Sequence, residues 1–458
     1  MTTLNKEEHP ISLTKSMFSF LIPIIVANIL QSVGQVFGII VVGQTLGVDS
    51  LAALSAFFPL LFLLISFAIG IGSGSSILIG QVYGSRNIPK MKEVVGVTLA
   101  FTMIISVGVA ILGALFTEDI LRAMGTPNNI LSESVSYAQI LFCTLPITFL
   151  YMVYTTFMRG VGDSKTPFYF LLISIILNIT LLPILMFGWF GLPEFGLNGA
   201  AYAVVLSNFI TLILLLLFLH KRNHVLRIDK VIMSHFHLKG AILKNLLKLA
   251  VPTSISMVAL SMSEIAVITF VNNYGSNATA AYGIANQIAS YVQIPAMSIS
   301  IAISVFVAQA VGAEKTSNIK QITKLGITLN YLLGGGLILI VYLLANPILK
   351  IFLNHSEAIE IARSLILISF WSYVILGHTQ SISATMRATG TVLWPTLFTI
   401  CSIWLIEVPA AYYLSHYTTL GIKGVWFAYP LAFIVNLSIQ NLYYQLIWKK
   451  KSLKVLVG

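Results

Sequence analysis

Two glutamates, Glu264 and Glu407, lie inside long apolar runs of this 458-residue sequence. A charged side chain at the centre of a membrane helix costs at least about 2.5–3.5 kcal/mol, so an acid in that position indicates a function. A carboxyl group in apolar surroundings holds its proton, whereas a nearby cation favours the ionised form. Proton and cation would then compete for one site, as an antiporter requires. The alternative is that each glutamate is simply buried, protonated and hydrogen-bonded.

Other polar side chains in apolar runs are weaker candidates. His378 could relay protons, because the unperturbed pKa of histidine is about 6.5, although a packing role is the favoured interpretation. Neutral polar residues could contact a solute, but most such residues in membranes form hydrogen bonds between helices. The candidate substrate contacts are Gln31, Gln35, Tyr137, Asn178, Asn272, Gln287 and Tyr291.

The sequence lacks the patterns of other site classes. The glycine-rich residues 70–76 lie in an apolar run and no Gly-Lys-Ser/Thr follows, which excludes a phosphate loop. The four histidines between 220 and 237 do not have the spacing of a zinc site, and both cysteines lie in apolar runs. We therefore expect no enzyme, no metal site, and no cofactor other than a coupling ion, H⁺ or Na⁺.

The composition defines the elements that must position these residues. With 57% hydrophobic and 9% charged residues and a mean hydropathy of +0.92, the chain is a membrane protein. A membrane helix needs about 20 apolar residues, and the sequence predicts an all-α protein with twelve such spans. The predicted spans are 17–42, 51–76, 94–115, 131–153, 168–188, 197–219, 245–272, 279–306, 323–345, 359–384, 394–414 and 423–447.

The 26 Lys and Arg residues are distributed unevenly between the loops. If the N-terminus is cytoplasmic, only Arg122, Lys350, Arg363 and Lys423 lie on the outer side. This asymmetry predicts a multi-pass protein of the cell (inner) membrane with both termini in the cytoplasm. It also explains the net charge of +11 without a nucleic-acid partner. We expect a monomer in the lipid bilayer.

The sequence repeats itself with an offset of 228 residues. Gly47 then aligns with Gly275, and Gly162 with Gly390. Six spans per half give both halves the same orientation, related by a pseudo-twofold axis along the membrane normal, with a cleft for solute between them. The predicted parts are an N-lobe at 1–219, a cytoplasmic linker at 220–244 and a C-lobe at 245–458.

Several motifs together resemble the multidrug and toxic compound extrusion (MATE) family. They are Pro23, Gly43-Gln-Thr-Leu-Gly47, Gln81-Val-Tyr-Gly84, Arg159-Gly-Val-Gly-Asp-Ser-Lys-Thr-Pro167 and Gly421-Ile-Lys-Gly-Val-Trp426. The resemblance covers nearly the whole chain. It implies a V-shaped exporter of twelve helices that expels cationic, amphipathic drugs in exchange for H⁺ or Na⁺.

The chain departs from this family where many members carry acids in the first half. Gly38 stands where an Asp is common, and span five reads Asn178-Ile-Thr-Leu-Leu182 without an Asp. We therefore expect ion coupling in the C-lobe, through Glu264, Glu407 and His378. The family's use of an acid in span seven supports Glu264. Bends at Pro23 and Pro252, which are near-equivalent in the repeat, could contribute to gating.

Two other functions remain as alternatives. A flippase for lipid-linked precursors must hold an anionic pyrophosphate, which favours Lys or Arg in the cavity. The predicted spans have acids rather than bases near the midplane, and this favours a cationic cargo. A channel or a receptor would not explain acids that occur in one lobe only. Flux of a fluorescent cation from vesicles would separate these possibilities.

The charge asymmetry leads to a prediction about topology. In a variant without the native cysteines, single cysteines at Asn223 and Asn354 should be labelled from opposite faces of the membrane, because the basic residues hold the 220–244 linker in the cytoplasm. Labelling by an impermeant maleimide, before and after permeabilisation, tests this. Labelling of both positions from the same face would contradict the twelve-span topology.

Overall fold

The computed structural model describes residues 10–353 and 355–457. These residues form helices and loops and contain no strand. Eleven helical segments within them are long and apolar enough to cross a membrane, and a twelfth consists of two helices that meet at a bend of 46°. The predicted all-α fold with twelve spans is therefore confirmed. Residues 1–9 and Asn354, one of the two labelling positions, lie outside the described residues.

The first half of the chain forms six spans, the second of which is divided at Phe57. The helices are α1 (Pro10–Thr45), α2 (Val48–Ala56), α3 (Phe58–Gly84), α4 (Ile88–Ala123), α5 (Asn128–Gly160), α6 (Lys165–Phe187) and α7 (Gly196–Lys221). A short helix, α8 (Lys230–Ser234), lies between the halves.

The second half also forms six spans, three of which are interrupted. The helices are α9 (Gly240–Asn272), α10 (Ser276–Gly312), α11 (Ser317–Leu329), α12 (Gly335–Phe352), α13 (Ser356–Ser369), α14 (Ser372–Ala388), α15 (Leu393–Ser402), α16 (Val408–His416) and α17 (Ile422–Leu446). Residues 330–334 join α11 to α12, and residues 403–407 join α15 to α16, each as a π-helical turn.

The internal repeat is visible in the backbone. Displaced by 228 residues, α10 has the same bounds as the span formed by α2 and α3. Gly47 and Gly275 precede these spans with φ of 87° and 93°, and Gly162 and Gly390 follow later spans with φ of 87° and 89°. Because such φ values favour glycine, the repeated glycines preserve repeated turns.

By internal packing, the described residues divide into two compact units. The first unit contains residues 10–21 and Pro252–Leu456, and the second contains Ile22–Val251 with Val457. The apolar core of the first unit includes Tyr282, Phe370 and Trp426. The predicted lobes at 1–219 and 245–458 and the linker at 220–244 stay a prediction.

The tenth span bends between α13 and α14, and side chains bind the backbone groups at the bend. The Tyr342 hydroxyl accepts a hydrogen bond from the Trp371 N–H at 3.0 Å and donates one to the Leu367 carbonyl at 3.4 Å. The Ser369 hydroxyl donates to the Trp426 carbonyl at 2.9 Å. Since lipid offers no hydrogen bonds, these contacts allow the helix to break within the membrane.

The segment between α7 and α9 packs on the N-terminal end of α4. A Cβ on Gly96 would lie 2.7 Å from the Ile232 carbonyl oxygen, so only glycine allows this approach. Asp229 accepts hydrogen bonds from the Val231 and Ile232 N–H groups and pairs with Lys92. Burial would raise the pKa of Asp229, but these hydrogen bonds outweigh it and lower the pKa. The ion pair therefore persists at neutral pH and weakens only as acid protonates Asp229.

The last span packs against the preceding helix through a glycine. A Cβ on Gly424 would lie 2.4 Å from the Leu414 carbonyl carbon, a backbone atom that cannot rotate away. We expect Gly424→Ala to lower the free energy of unfolding by about 1–3 kcal/mol, as overpacking does. Thermal unfolding of the detergent-solubilised protein measures the effect.

Gly336→Ala is the matched control for this prediction. A Cβ on Gly336 would meet no atom within 4 Å, and alanine favours the helix. This variant should unfold at or above the temperature of the parent protein. Equal unfolding temperatures for Gly424→Ala and the parent would contradict the close approach.

Candidate functional site

Glu407 lies at the end of the π-helical turn in the eleventh span. It is 4% exposed, and the N–H of the following residue, Val408, bonds to the Ile403 carbonyl five residues back. Pro409 then removes a further backbone donor. Turns of this kind are rare and occur frequently at functional sites. The irregular backbone therefore coincides with the one acid that is buried in this span.

Glu264, on α9, lies within electrostatic range of Glu407. The Glu264 side chain is exposed on the surface of the chain, whereas that of Glu407 is buried. Both residues belong to the first unit. The two acids that the sequence indicates therefore lie close enough to interact electrostatically, one exposed on the surface of the chain and one buried.

Three tyrosines from three other helices interact electrostatically with the acids. The hydroxyls of Tyr282 and Tyr429 form a buried hydrogen bond of 2.8 Å, and the Tyr282 ring stacks on Trp426 at 6.0 Å. Tyr282 and Tyr373 lie within electrostatic range of both glutamates, and Tyr429 of Glu407. The site therefore combines two carboxyl groups with three tyrosines, Tyr282, Tyr373 and Tyr429, which we call the tyrosine layer. Within it, Tyr282 and Tyr429 are hydrogen-bonded to each other.

This arrangement suits the binding of positive charge. Two carboxylates in surroundings of low polarity repel one another, so the site is more stable when a proton or another cation neutralises one of them. Aromatic faces also attract organic cations. The groups assembled here can therefore hold a proton, a metal cation or an organic cation, and binding of one opposes binding of another.

His378 lies in a second polar group of the same unit. Its Nδ1 is 3.1 Å from the Tyr331 hydroxyl, and the two rings meet edge to face at 5.7 Å. Tyr331 belongs to the π-helical turn at 330–334, where the Asn330 side chain packs directly on Gly377. His378 is half-buried. The hydrogen bond to Tyr331 is compatible both with a packing role for His378 and with a role in proton relay.

The predicted gating and substrate residues lie in both units. Pro23 and Pro252 lie within α1 and α9 and are half-buried. Tyr137 is 7% exposed and packs edge-on against Phe57 in the core of the second unit. The side-chain amide oxygen of Asn272, Oδ1, accepts a hydrogen bond from the Thr279 hydroxyl at 2.8 Å. The exposed candidates are Gln31, Gln35, Asn272 and Gln287, and the half-buried ones are Asn178 and Tyr291. Their roles in gating and substrate binding stay predictions.

The sequence reading missed the tyrosine layer. At about 1.5 Å per residue, Glu264 and Glu407 lie about 12–14 Å from the ends of α9 and α16, and Tyr282 and Tyr429 lie about 9–11 Å from the adjoining ends of α10 and α17. A search for hydroxyl groups at the depth of the acids would have found these two residues. Tyr373 lies beyond the bend between α13 and α14, and no count along the chain places it.

Known proteins resemble this chain along its full length. The MatE family profile matches twice, at residues 23–184 and 252–413, in agreement with the repeat. The chain is 54% identical, over 97% of its length and 96% of the relative, to a Bacillus subtilis (strain 168) protein named "Probable multidrug resistance protein YoeA". It is 26% identical, over 84% of each chain, to a Shewanella oneidensis protein named "FAD transporter".

Solved structures share the fold. A MATE transporter of Vibrio cholerae superposes with a TM-score of 0.89 and 18% identity, over 97% of this chain and 98% of the other. The twelve spans, the repeated turns and the two family matches agree. The chain therefore belongs to the MatE family of multidrug and toxic compound extrusion (MATE) transporters.

Proposed function

We propose that this protein is a secondary active multidrug antiporter, which exports cationic amphipathic compounds in exchange for H⁺ or Na⁺. The observation that carries the proposal is the electrostatic proximity of Glu264 and Glu407 beside the hydrogen-bonded Tyr282 and Tyr429. Related proteins named for multidrug resistance or export support the same function.

The exchange follows from competition at the two acids. A proton on Glu407 and a cation beside Glu264 each reduce the repulsion between the carboxylates, so binding of one lowers the affinity for the other. Glu264 is the accessible member of the pair and is assigned the first contact with the cargo. Glu407 is enclosed, and its ionisation is assigned to proton release.

The cargo is proposed to be cationic because the groups at the site are acidic or aromatic. A relative named for transport of FAD shows that an anionic cargo occurs among similar proteins. An anion, like the pyrophosphate of a lipid-linked precursor, needs Lys or Arg to offset its charge. Glu264 and Glu407 would instead repel it.

The membrane setting follows from the spans and their charges. We assign the protein to the cell membrane with the basic loops and both termini in the cytoplasm. In this orientation, a compound that enters from the cytoplasm is released outside while protons move inward. The transporter is proposed to act as a monomer.

The energetics of exchange provide a test of the two glutamates. One proton exchanged for one monovalent cation moves no net charge and is driven by about 1.4 kcal/mol per pH unit. Release of a second proton adds about 2.3 kcal/mol per 100 mV of membrane potential. We expect Glu264→Gln to abolish uphill export, and Glu407→Gln to leave weaker export with reduced voltage dependence.

Proteoliposomes with separately imposed pH gradient and membrane potential provide the measurement, with ethidium as the cation. Glu360→Gln, which changes an exposed acid on α13 of the same unit, is the control and should match the parent protein. Export by Glu264→Gln at the parent rate would contradict its role. If export requires Na⁺ and moves no protons, the assignment of the site to these glutamates stands, but the coupling ion is Na⁺.

His378 provides a second, separate test. We expect His378→Gln to retain most of the transport, because glutamine keeps a hydrogen-bonding group beside Tyr331. Tyr331→Phe, which removes the hydroxyl partner, should behave in the same way. The measurement is the pH-driven export described above. Complete loss in a folded His378→Gln variant would show that the imidazole relays protons.

A further inference from the structure

A buried polar cluster lies between α15 and α17, on the side of Glu407 away from the tyrosine layer. The Gln440 Nε2 group donates to Asn436 Oδ1 at 2.9 Å and to Thr399 Oγ1 at 3.2 Å, and it lies 3.5 Å from the Pro395 carbonyl oxygen. Gln440 is 0% exposed and Asn436 is 3% exposed. These acceptors orient the Gln440 amide, because only its NH₂ end can donate to them.

The oxygen at the opposite end of the same amide receives no hydrogen bond. Gln440 Oε1 is buried and has no hydrogen-bond partner among the described residues. The hydroxyl of Ser402, which is 2% exposed, is likewise buried and without a partner in the part of the chain that the structure describes. Leaving such groups unpaired is unfavourable, and buried water is the common way in which proteins satisfy them.

The positions of these residues connect the cluster with Glu407. On α17, Tyr429, Asn436 and Gln440 follow one another at helical spacings of seven and four residues, so they lie on one face. On the opposite helix, Ser402 immediately precedes the π-helical turn that Glu407 ends, about 8 Å further along the helix. Polar groups thus extend from the tyrosine layer past Glu407 to Gln440.

The other end of the cluster approaches the basic end of the bundle. Tyr443, three residues after Gln440, packs on Trp394 at 5.8 Å, and its hydroxyl accepts a hydrogen bond from Lys451 at 3.1 Å. From Gln440 to the end of α17 is about 9 Å along the helix. By the charge asymmetry of the loops, this end is cytoplasmic.

We propose that Ser402, Asn436 and Gln440 hold a file of water molecules inside the first unit, and that this file carries protons between Glu407 and the cytoplasmic side. The inference rests on the proposed antiport and adds the route of the proton. The Ser402 hydroxyl and Gln440 Oε1 orient the water. Both are neutral, so they do not trap the proton as a second carboxylate would.

The proton step is a simple transfer. The O–H bond of the Glu407 carboxyl breaks, a water of the file accepts the proton, and a different proton leaves at the cytoplasmic end, so Glu407 becomes a carboxylate. The titratable groups within electrostatic range of Glu407, each on a different helix, are Glu264, Tyr282, Tyr373 and Tyr429. Of these, Glu264 opposes the ionisation, and a bound organic cation offsets that opposition.

The test distinguishes a defect in the proton route through Ser402 and Gln440 from a defect in the acidic site itself. We expect Gln440→Leu and Ser402→Ala to slow proton release on ethidium binding at least tenfold, because each removes a group that orients the water. The number of protons released per ethidium and the dissociation constant of ethidium should not change, since Glu407 is intact. Stopped-flow measurement with a pH-sensitive dye, on purified transporter, gives the rate and the number together.

Gln445→Leu is the matched control, because it removes a glutamine from the exposed face of the same helix. It should release protons at the parent rate. A crystal structure should also show a water within hydrogen-bonding distance of Gln440 Oε1. Parent rates in both Gln440→Leu and Ser402→Ala would overturn the route, as would a Na⁺ ion in place of that water.

Different results would contradict the proposed antiport and the proposed proton route. If the parent protein releases no proton on binding ethidium, or if Glu407→Gln releases as many as the parent, then Glu407 is not the proton site and the route falls with it. If Glu407→Gln lowers the number of protons released, and Gln440→Leu and Ser402→Ala leave the rate of release unchanged, the antiport stands and only the route is wrong.

Discussion

In lipid, every backbone N–H and C=O group of this protein must find its hydrogen bond within the chain. Twelve helical spans meet this requirement along almost their whole length. At the break in the tenth span, side chains bind backbone groups beside the break. Tyr342 does so at the bend between α13 and α14, and the Asn330 side chain donates to the Val374 carbonyl at 2.8 Å. The break in the tenth span is therefore stabilised by specific polar residues.

These departures are unevenly divided between the two halves of the repeat. The counterparts of the three interrupted spans in the second half are α4, α5 and α6, which are continuous. Each π-helical turn of the second half contains a buried polar residue, Asn330 or Glu407. Glu407 aligns with the apolar Ile179, and Asn330 aligns with the smaller Thr102. Of the four interrupted spans among the described residues, three therefore lie in the second half, and one, divided at Phe57, lies in the first.

The same constraint explains how a transporter can use these groups. A carboxyl group away from water is stable only when it is neutral or paired, and in the antiport that we propose its proton and a cationic cargo therefore compete directly. The hydrogen-bonded Tyr282 and Tyr429 give the site a rigid wall, and Trp426 supports that wall by stacking. The polar cluster at Gln440 lies behind the site, where oriented water can reach an acid that is itself enclosed.

The sequence by itself determined the membrane spans and the repeated turns of this protein, because hydropathy, loop charge and glycine positions depend only on residues close together along the chain. The twelve spans and the repeat of Gly47 and Gly162 were predictable from those patterns, and Glu264 and Glu407 were recognisable as acids in apolar runs. Only the tertiary structure decided which residues meet. The pairing of Tyr282 with Tyr429 joins residues 147 positions apart, and the packing of Gln440 against Thr399 depends on how two helices face each other. Helical spacing places a side chain on a face, whereas the neighbour of that face depends on the packing of all the helices around it.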